Sequence, residues 1–105
     1  MPRSIVHHDG WFFEWSTIVD APVTIGMRRQ EFKAYFLERF GQAAMLDLPR
    51  RLDRAVEFGT DLDTPTSARD LLAFNRAGRD ETDLPFEDVI RLVCIEKRDP
   101  KENGK

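Results

Sequence analysis

Residues 11–19 (WFFEWSTIV) constrain this chain more than any other stretch. Successive side chains of an extended backbone point to opposite faces, so Trp11, Phe13, Trp15, Thr17 and Val19 share one side, and Phe12, Glu14, Ser16, Ile18 and Asp20 share the other. The first side carries more apolar surface and reads as the floor of a core. The second reads as the wet side of a half-buried strand, on which Phe12 and Ile18 are expected to be exposed and available to a partner.

The neighbouring sequence suggests what completes the sheet. Asp9-Gly10 is a two-residue hairpin signal because both residues tolerate positive φ, so residues 4–8 are predicted to pair with residues 11–15. Pro22 cannot donate to a ladder and is expected to end the long strand, with residues 23–25 as a short edge strand. A hairpin alone is marginal and must be covered. Phe32, Tyr35, Phe36 and Phe40 recur at helical spacing and predict a helix over residues 29–40, closed by Gly41. Met27 and Phe32 stand where a hydrophobic staple would put them, with Glu31 at the third helical position, although Arg28 is a poor cap. Asp47-Leu48-Pro49 predicts a second helix start. This helix ends at Gly59, buries Leu48, Leu52, Ala55 and Val56, and has an extra turn over residues 43–46 in front of it. Ser67 and Asp70 resemble a capping box for a short helix reaching about Ala77, with Gly78 as its terminator. Phe86, Val89, Ile90, Val93 and Cys94 lie at helical spacing, while the β-branched run 89–95 offers a competing strand; helix is preferred. The expected class is α+β: a small antiparallel β element, the N-terminal hairpin, packed by three or four short helices. Residues 1–96 form one domain in this reading and residues 97–105 a charged, flexible tail.

Composition narrows the function. With 105 residues, 41% hydrophobic and 33% charged, the chain can bury a core without staples. A net charge of −3 does not direct the whole molecule toward nucleic acid or an anionic membrane. No run approaches the ~18 apolar residues of a membrane span, and the amino terminus has no signal-peptide pattern. The single cysteine, Cys94, can make no intramolecular disulfide. It reads as a small buried hydrophobe in a protein of a reducing cytoplasm.

Chemistry-bearing motifs are sparse. His7-His8-Asp9 invites a metal reading, but adjacent strand residues point apart and cannot easily share one ion. Asp61-Leu62-Asp63 opens like a calcium loop, yet Pro65, Thr66 and Leu72 stand where a third acidic residue, a glycine and a bidentate glutamate are required. There is no phosphate-cradling glycine loop, and Cys94 with either histidine lacks the signature of an activated nucleophile. No catalytic residue, metal ligand or cofactor is therefore assigned. Arg50, Arg51 and Arg54, at spacings of three and four, could form a phosphate-binding face and are the candidate nucleic-acid contacts. The competing view is a solvated helix neutralised by Asp53 and Glu57. The expected function is a non-enzymatic interaction protein that binds a protein partner or itself, since a long strand with short neighbours should leave an edge that recruits another strand. The alternative is a nucleic-acid-binding module using the arginine-rich helix face. No membrane partner is expected.

The segments WSTIVDAPVTIGMRRQEF, LPRRLDRAVEFGT and LAFNRAG, in that order, resemble small proteins found in genomes of tailed phages of actinobacteria. The resemblance covers roughly residues 15–94. Relatives of that kind are expected to start the helix after "GM" with Thr or Ser, and Arg28 departs from this. The resemblance implies an accessory protein of the host cytoplasm acting on a host component; it supplies no site residues.

Overall fold

Asp9 and Gly10 fold the amino terminus back on itself. In the computed structural model, which describes residues 3–62, 64–73, 75 and 83–96, their φ values are 53° and 83°. Both are left-handed, as a tight hairpin turn requires. Strand β1 (Arg3–His8) runs antiparallel to β2 (Trp11–Ser16), with Ser4 opposite Trp15 and His8 opposite Trp11. This is the predicted register. The long strand stops three residues earlier than its alternation suggests. Ser16 Oγ accepts from the N–H groups of Ile18 and Val19, and the Ser16 carbonyl accepts from Asp20, which sits at φ 56°. A side chain that caps its own turn competes with continuation of the strand. The third strand, β3, is Ala21–Pro22 rather than residues 23–25, and gives the order β1-β2-β3. Pro22 is tolerated there because the strand is a two-residue edge.

Both long edges are occupied, which corrects the expectation of an unpaired strand. Beyond β3, the outer edge of β2 is completed by Val23, whose N–H donates to the Glu14 carbonyl. Met27 exchanges two 2.7 Å backbone bonds with Phe12. On β1, His7 N–H donates to the Gly59 carbonyl, Ile5 N–H to Asp61 Oδ1, and Asp61 N–H back to the Ile5 carbonyl. Strand addition by a second copy therefore loses its warrant.

Helices pack on both faces. Helix α1 (Arg29–Phe40) leads through a 3₁₀ turn (Gln42–Leu46) into α2 (Leu48–Phe58). Helix α3 (Ala68–Leu71) opens on Ser67, whose Oγ accepts from Asp70 N–H as the capping pattern predicts. The last element is helical: α4 (Phe86–Arg91) continues as a π-type turn, Leu92–Glu96. Gly59 closes α2 at φ 103°, and a Cβ there would lie 2.6 Å from the Ala68 nitrogen, so glycine is needed for conformation and for space. Arg28 owes its place to something other than capping. Its guanidinium lies 3.5 Å from the centroid of the Trp11 ring and donates to the Asp9 carbonyl, clamping α1 onto the hairpin turn. The start of the helix is held by Glu31, which accepts from Arg28 N–H.

One face of the sheet sends Val6, Phe13 and Trp15 into a cluster with Ala68, Leu72, Val89, Val93 and Cys94. The other sends Ile5 and Phe12 into a second cluster with Met27, Phe32, Phe36, Leu48, Leu52 and Ala55. The face read from sequence as wet is thus a second core. Phe12 is only 3% exposed and Glu14 only 1%, so Phe12 offers nothing to a partner. The physical reason is that α1 and α2 carry apolar stripes that need a sheet to cover, and the first face is already taken by the C-terminal half. Ile18, in contrast, is 72% exposed on the β2–β3 turn, as expected. Val56 is exposed; the buried stripe of α2 is Leu48, Leu52 and Ala55.

Asn75 clips the C-terminal half together. Its amide nitrogen donates to the carbonyls of Leu72 and Leu84, while its side-chain oxygen accepts from Leu84 N–H. Helix α3 ends at Leu71, with Leu72 and Ala73 in a turn, and so stops short of the predicted reach toward Ala77; Ala77 itself, the predicted terminator Gly78 and the tail 97–105 lie outside the described residues. No helix among the described residues is long and apolar enough to cross a membrane.

Candidate functional site

The α1/α2 side of the sheet carries a cleft of about 580 Å³. Its apolar part comes from Phe36 and Phe40 at the end of α1 and from Ala44 in the 3₁₀ turn. Its polar part comes from Arg3 of β1, Arg50, Arg51 and Arg54 of α2, and the carboxylates of Asp47 and Asp61. The helical spacing predicted that Arg50 or Arg51 would lie beside Arg54, and the cleft brings all three together. Arg28, Arg29 and Lys33 stay outside the lining. The predicted neutralisation by Asp53 is not what the structure has: Asp53 pairs with Arg29 at 2.9 Å.

Each arginine is held differently. Arg50 is an exposed ion pair with Asp47 at 2.8 Å, worth little in water. Arg54 donates its Nε to the Leu62 carbonyl at 2.6 Å, with its guanidinium over the Phe58 ring. Arg51 is the buried one, its side chain 18% exposed, with Nε 2.6 Å from Asp61 Oδ2 and its guanidinium 5.5 Å from the Phe36 ring centroid. Asp61 is the more buried partner, at 5% exposure. Its other oxygen accepts from Ser4 Oγ at 2.8 Å and from Ile5 N–H at 2.7 Å. A carboxylate with three donors is fully compensated, so it can act as a rigid post for Arg51.

A second buried carboxylate lies behind the cleft. Glu14 accepts from the Tyr35 hydroxyl at 2.5 Å and lies 3.5 Å from Arg3 Nη1. Burial, reinforced by the hydrogen bond to this carboxylate, pushes the Tyr35 phenol up to about 12. The phenol therefore remains a donor and anchors Glu14 from the α1 side.

The histidines separate as adjacent strand residues must. His7 packs against Phe12 and accepts at Nε2 from Gly10 N–H, while His8 packs edge-on against Phe86 on the opposite face. Burial, and secondarily the neighbouring His8, hold the His7 imidazole below its ordinary range. Among the described residues no group of three His, Cys, Asp or Glu side chains converges as a metal site would.

Sequence reasoning missed Asp61, Asp47, Arg3 and Tyr35 as parts of the site. For Arg3 a signal existed. The Asp9-Gly10 register places it opposite Ser16 and therefore diagonal to Glu14 on one face. Asp61 follows the glycine that ends α2, in a loop with no periodicity to mark it. Comparison with protein-family models, with curated proteins and with solved structures finds no match.

Proposed function

We propose that this protein is a non-enzymatic interaction module whose α1/α2 cleft receives a segment of a partner protein. The observation that carries the reading is the pairing, in one open depression, of an apolar floor with guanidinium groups already fixed by buried or backbone acceptors. Arginines keep their protons at physiological pH, so they hold and orient a ligand rather than transfer protons. A small apolar site with a few placed polar groups is how a protein binds a side chain or short segment. Ile18, exposed on the β2–β3 turn, is a separate apolar contact point rather than part of this cleft. The resemblance to phage accessory proteins agrees with a host protein as the partner.

A second reading, a nucleic-acid-binding module, is favoured by the gathering of Arg50, Arg51 and Arg54 with Arg3. Affinity capture with nuclease-treated controls separates the two. For the protein-partner reading, a captured protein survives nuclease and is lost when Arg50 and Arg54 are changed to Glu. If the captured protein is retained by that variant, or vanishes with nuclease, the first reading fails. The second predicts DNA or RNA binding whose salt dependence falls when all three arginines become Gln.

A further inference from the structure

We infer that the cleft contains a preorganised oxyanion subsite centred on Arg51, and that its ligand is an acidic side chain of a partner peptide with an apolar residue beside it. The inference rests on the interaction role proposed above and names the chemistry that the cleft selects. Arg51 donates its Nε to Asp61 Oδ2 at 2.6 Å within the cleft lining. An arginine side chain that is four-fifths buried, pinned at Nε and 5.5 Å from the Phe36 ring centroid has little rotamer freedom left to lose on binding. With the side chain pinned through Nε, the Nη pair at its tip is the fork that a carboxylate accepts with both oxygens.

Charge decides the class of partner. Four arginines against Asp47, Asp61 and the Glu14 carboxylate behind Arg3 leave a surplus of one positive charge among the described residues, enough for one carboxylate. A nucleic-acid strand brings a regular row of phosphates and needs an unbroken basic track. Here Asp47 and Asp61 lie in the same walls and would repel the next phosphate along. The apolar floor of Phe40 and Ala44 is left unused by a bare anion, but fits the neighbouring side chain of a peptide.

The test is calorimetry on the full chain with four probes: the peptide Gly-Ser-Glu-Phe-Glu-Gly, the same peptide with Gln for Glu, inorganic phosphate, and an oligothymidylate. The Glu peptide is expected to bind about tenfold more tightly than the Gln peptide, the size of one charge-assisted pair. Arg51→Lys keeps the charge but loses the fork, and should weaken the Glu peptide by about tenfold. Arg50→Gln, on the exposed rim, should weaken it by about twofold. If Arg51→Lys does not fold, the Glu-to-Gln comparison on the native chain still decides. Equal affinity for the two peptides overturns the inference, as does phosphate binding as tight as the Glu peptide or an oligothymidylate that binds tighter than both. If the peptides are equal while Arg50→Glu with Arg54→Glu still abolishes capture of a protein partner, the oxyanion subsite falls and the interaction reading stands.

Discussion

The two faces of the hairpin are built from alternate residues of the same two strands, yet they differ in kind. The face of Val6, Phe13 and Trp15 packs on α3 and α4 through apolar contacts, and the loops beneath it are tied by a neutral amide, Asn75. The face of Ile5 and Phe12 packs on α1 and α2, and buries two carboxylates, Glu14 and Asp61, with Arg3, Tyr35 and Arg51 as their partners. Buried ion pairs are weak evidence of stability, because desolvation offsets most of the attraction. A face that only had to hold the fold together could have been built like the other. On the interaction role proposed above, the charged face exchanges some stability for fixed guanidinium groups.

The largest expected effect tests whether both faces are cores. Trp15→Ala and Phe12→Ala should each cost about 3–5 kcal/mol in denaturant melts, through lost transfer energy and the cavity left behind. A loss below about 1 kcal/mol for Phe12→Ala would restore the wet face and end the comparison. Asn75→Ala should come next, at about 2–3 kcal/mol, because it strands the Leu84 N–H and removes two donors from buried carbonyls. Glu14→Gln should be smaller, within about 1 kcal/mol of neutral, since an amide still accepts from Tyr35 and removes the burden of a buried charge. A loss of several kcal/mol would mean that the charged face is held together by its charges, contrary to the view taken here.

The smallest effects are pH-dependent and belong to the charged face. His7 is held below its ordinary 6.5 in the folded protein, so the unfolded chain binds more protons as pH falls below 6.5. His7's contribution is full above that value and is lost on acidification. Tyr35 is raised from 10 to about 12, so the unfolded chain ionises first and stability declines as pH rises between those values. Melts of His7→Gln and Tyr35→Phe across the acid and alkaline limbs should each remove one of these slopes.

Much of the architecture was legible because it rests on local rules. Asp9-Gly10 set the hairpin register, the aromatic stripe set α1, Leu48-Pro49 and Gly59 bounded α2, and Ser67 capped α3. The misreading of Phe12 had a physical origin. A face carrying Glu14, Ser16 and Asp20 looks solvated until helices from elsewhere in the chain cover it, and periodicity carries no information about that covering. The candidate site was half legible for a similar reason. Arg50, Arg51 and Arg54 are neighbours through helix geometry, whereas Arg3 joins them only through tertiary contacts across more than forty residues of sequence, and Asp61 reaches Arg51 from the aperiodic loop after α2.

The most direct test of the functional asymmetry is a backbone and arginine side-chain NMR titration of the native chain with Gly-Ser-Glu-Phe-Glu-Gly. The account predicts shifts confined to the α1/α2 side, led by the Nε–H of Arg51 and the amides of Ile5, Phe40 and Asp61, with Val6, Phe13, Val89 and Val93 unmoved. Shifts centred on the α3/α4 face or on the Ile18 turn, with Arg51 silent, would contradict it.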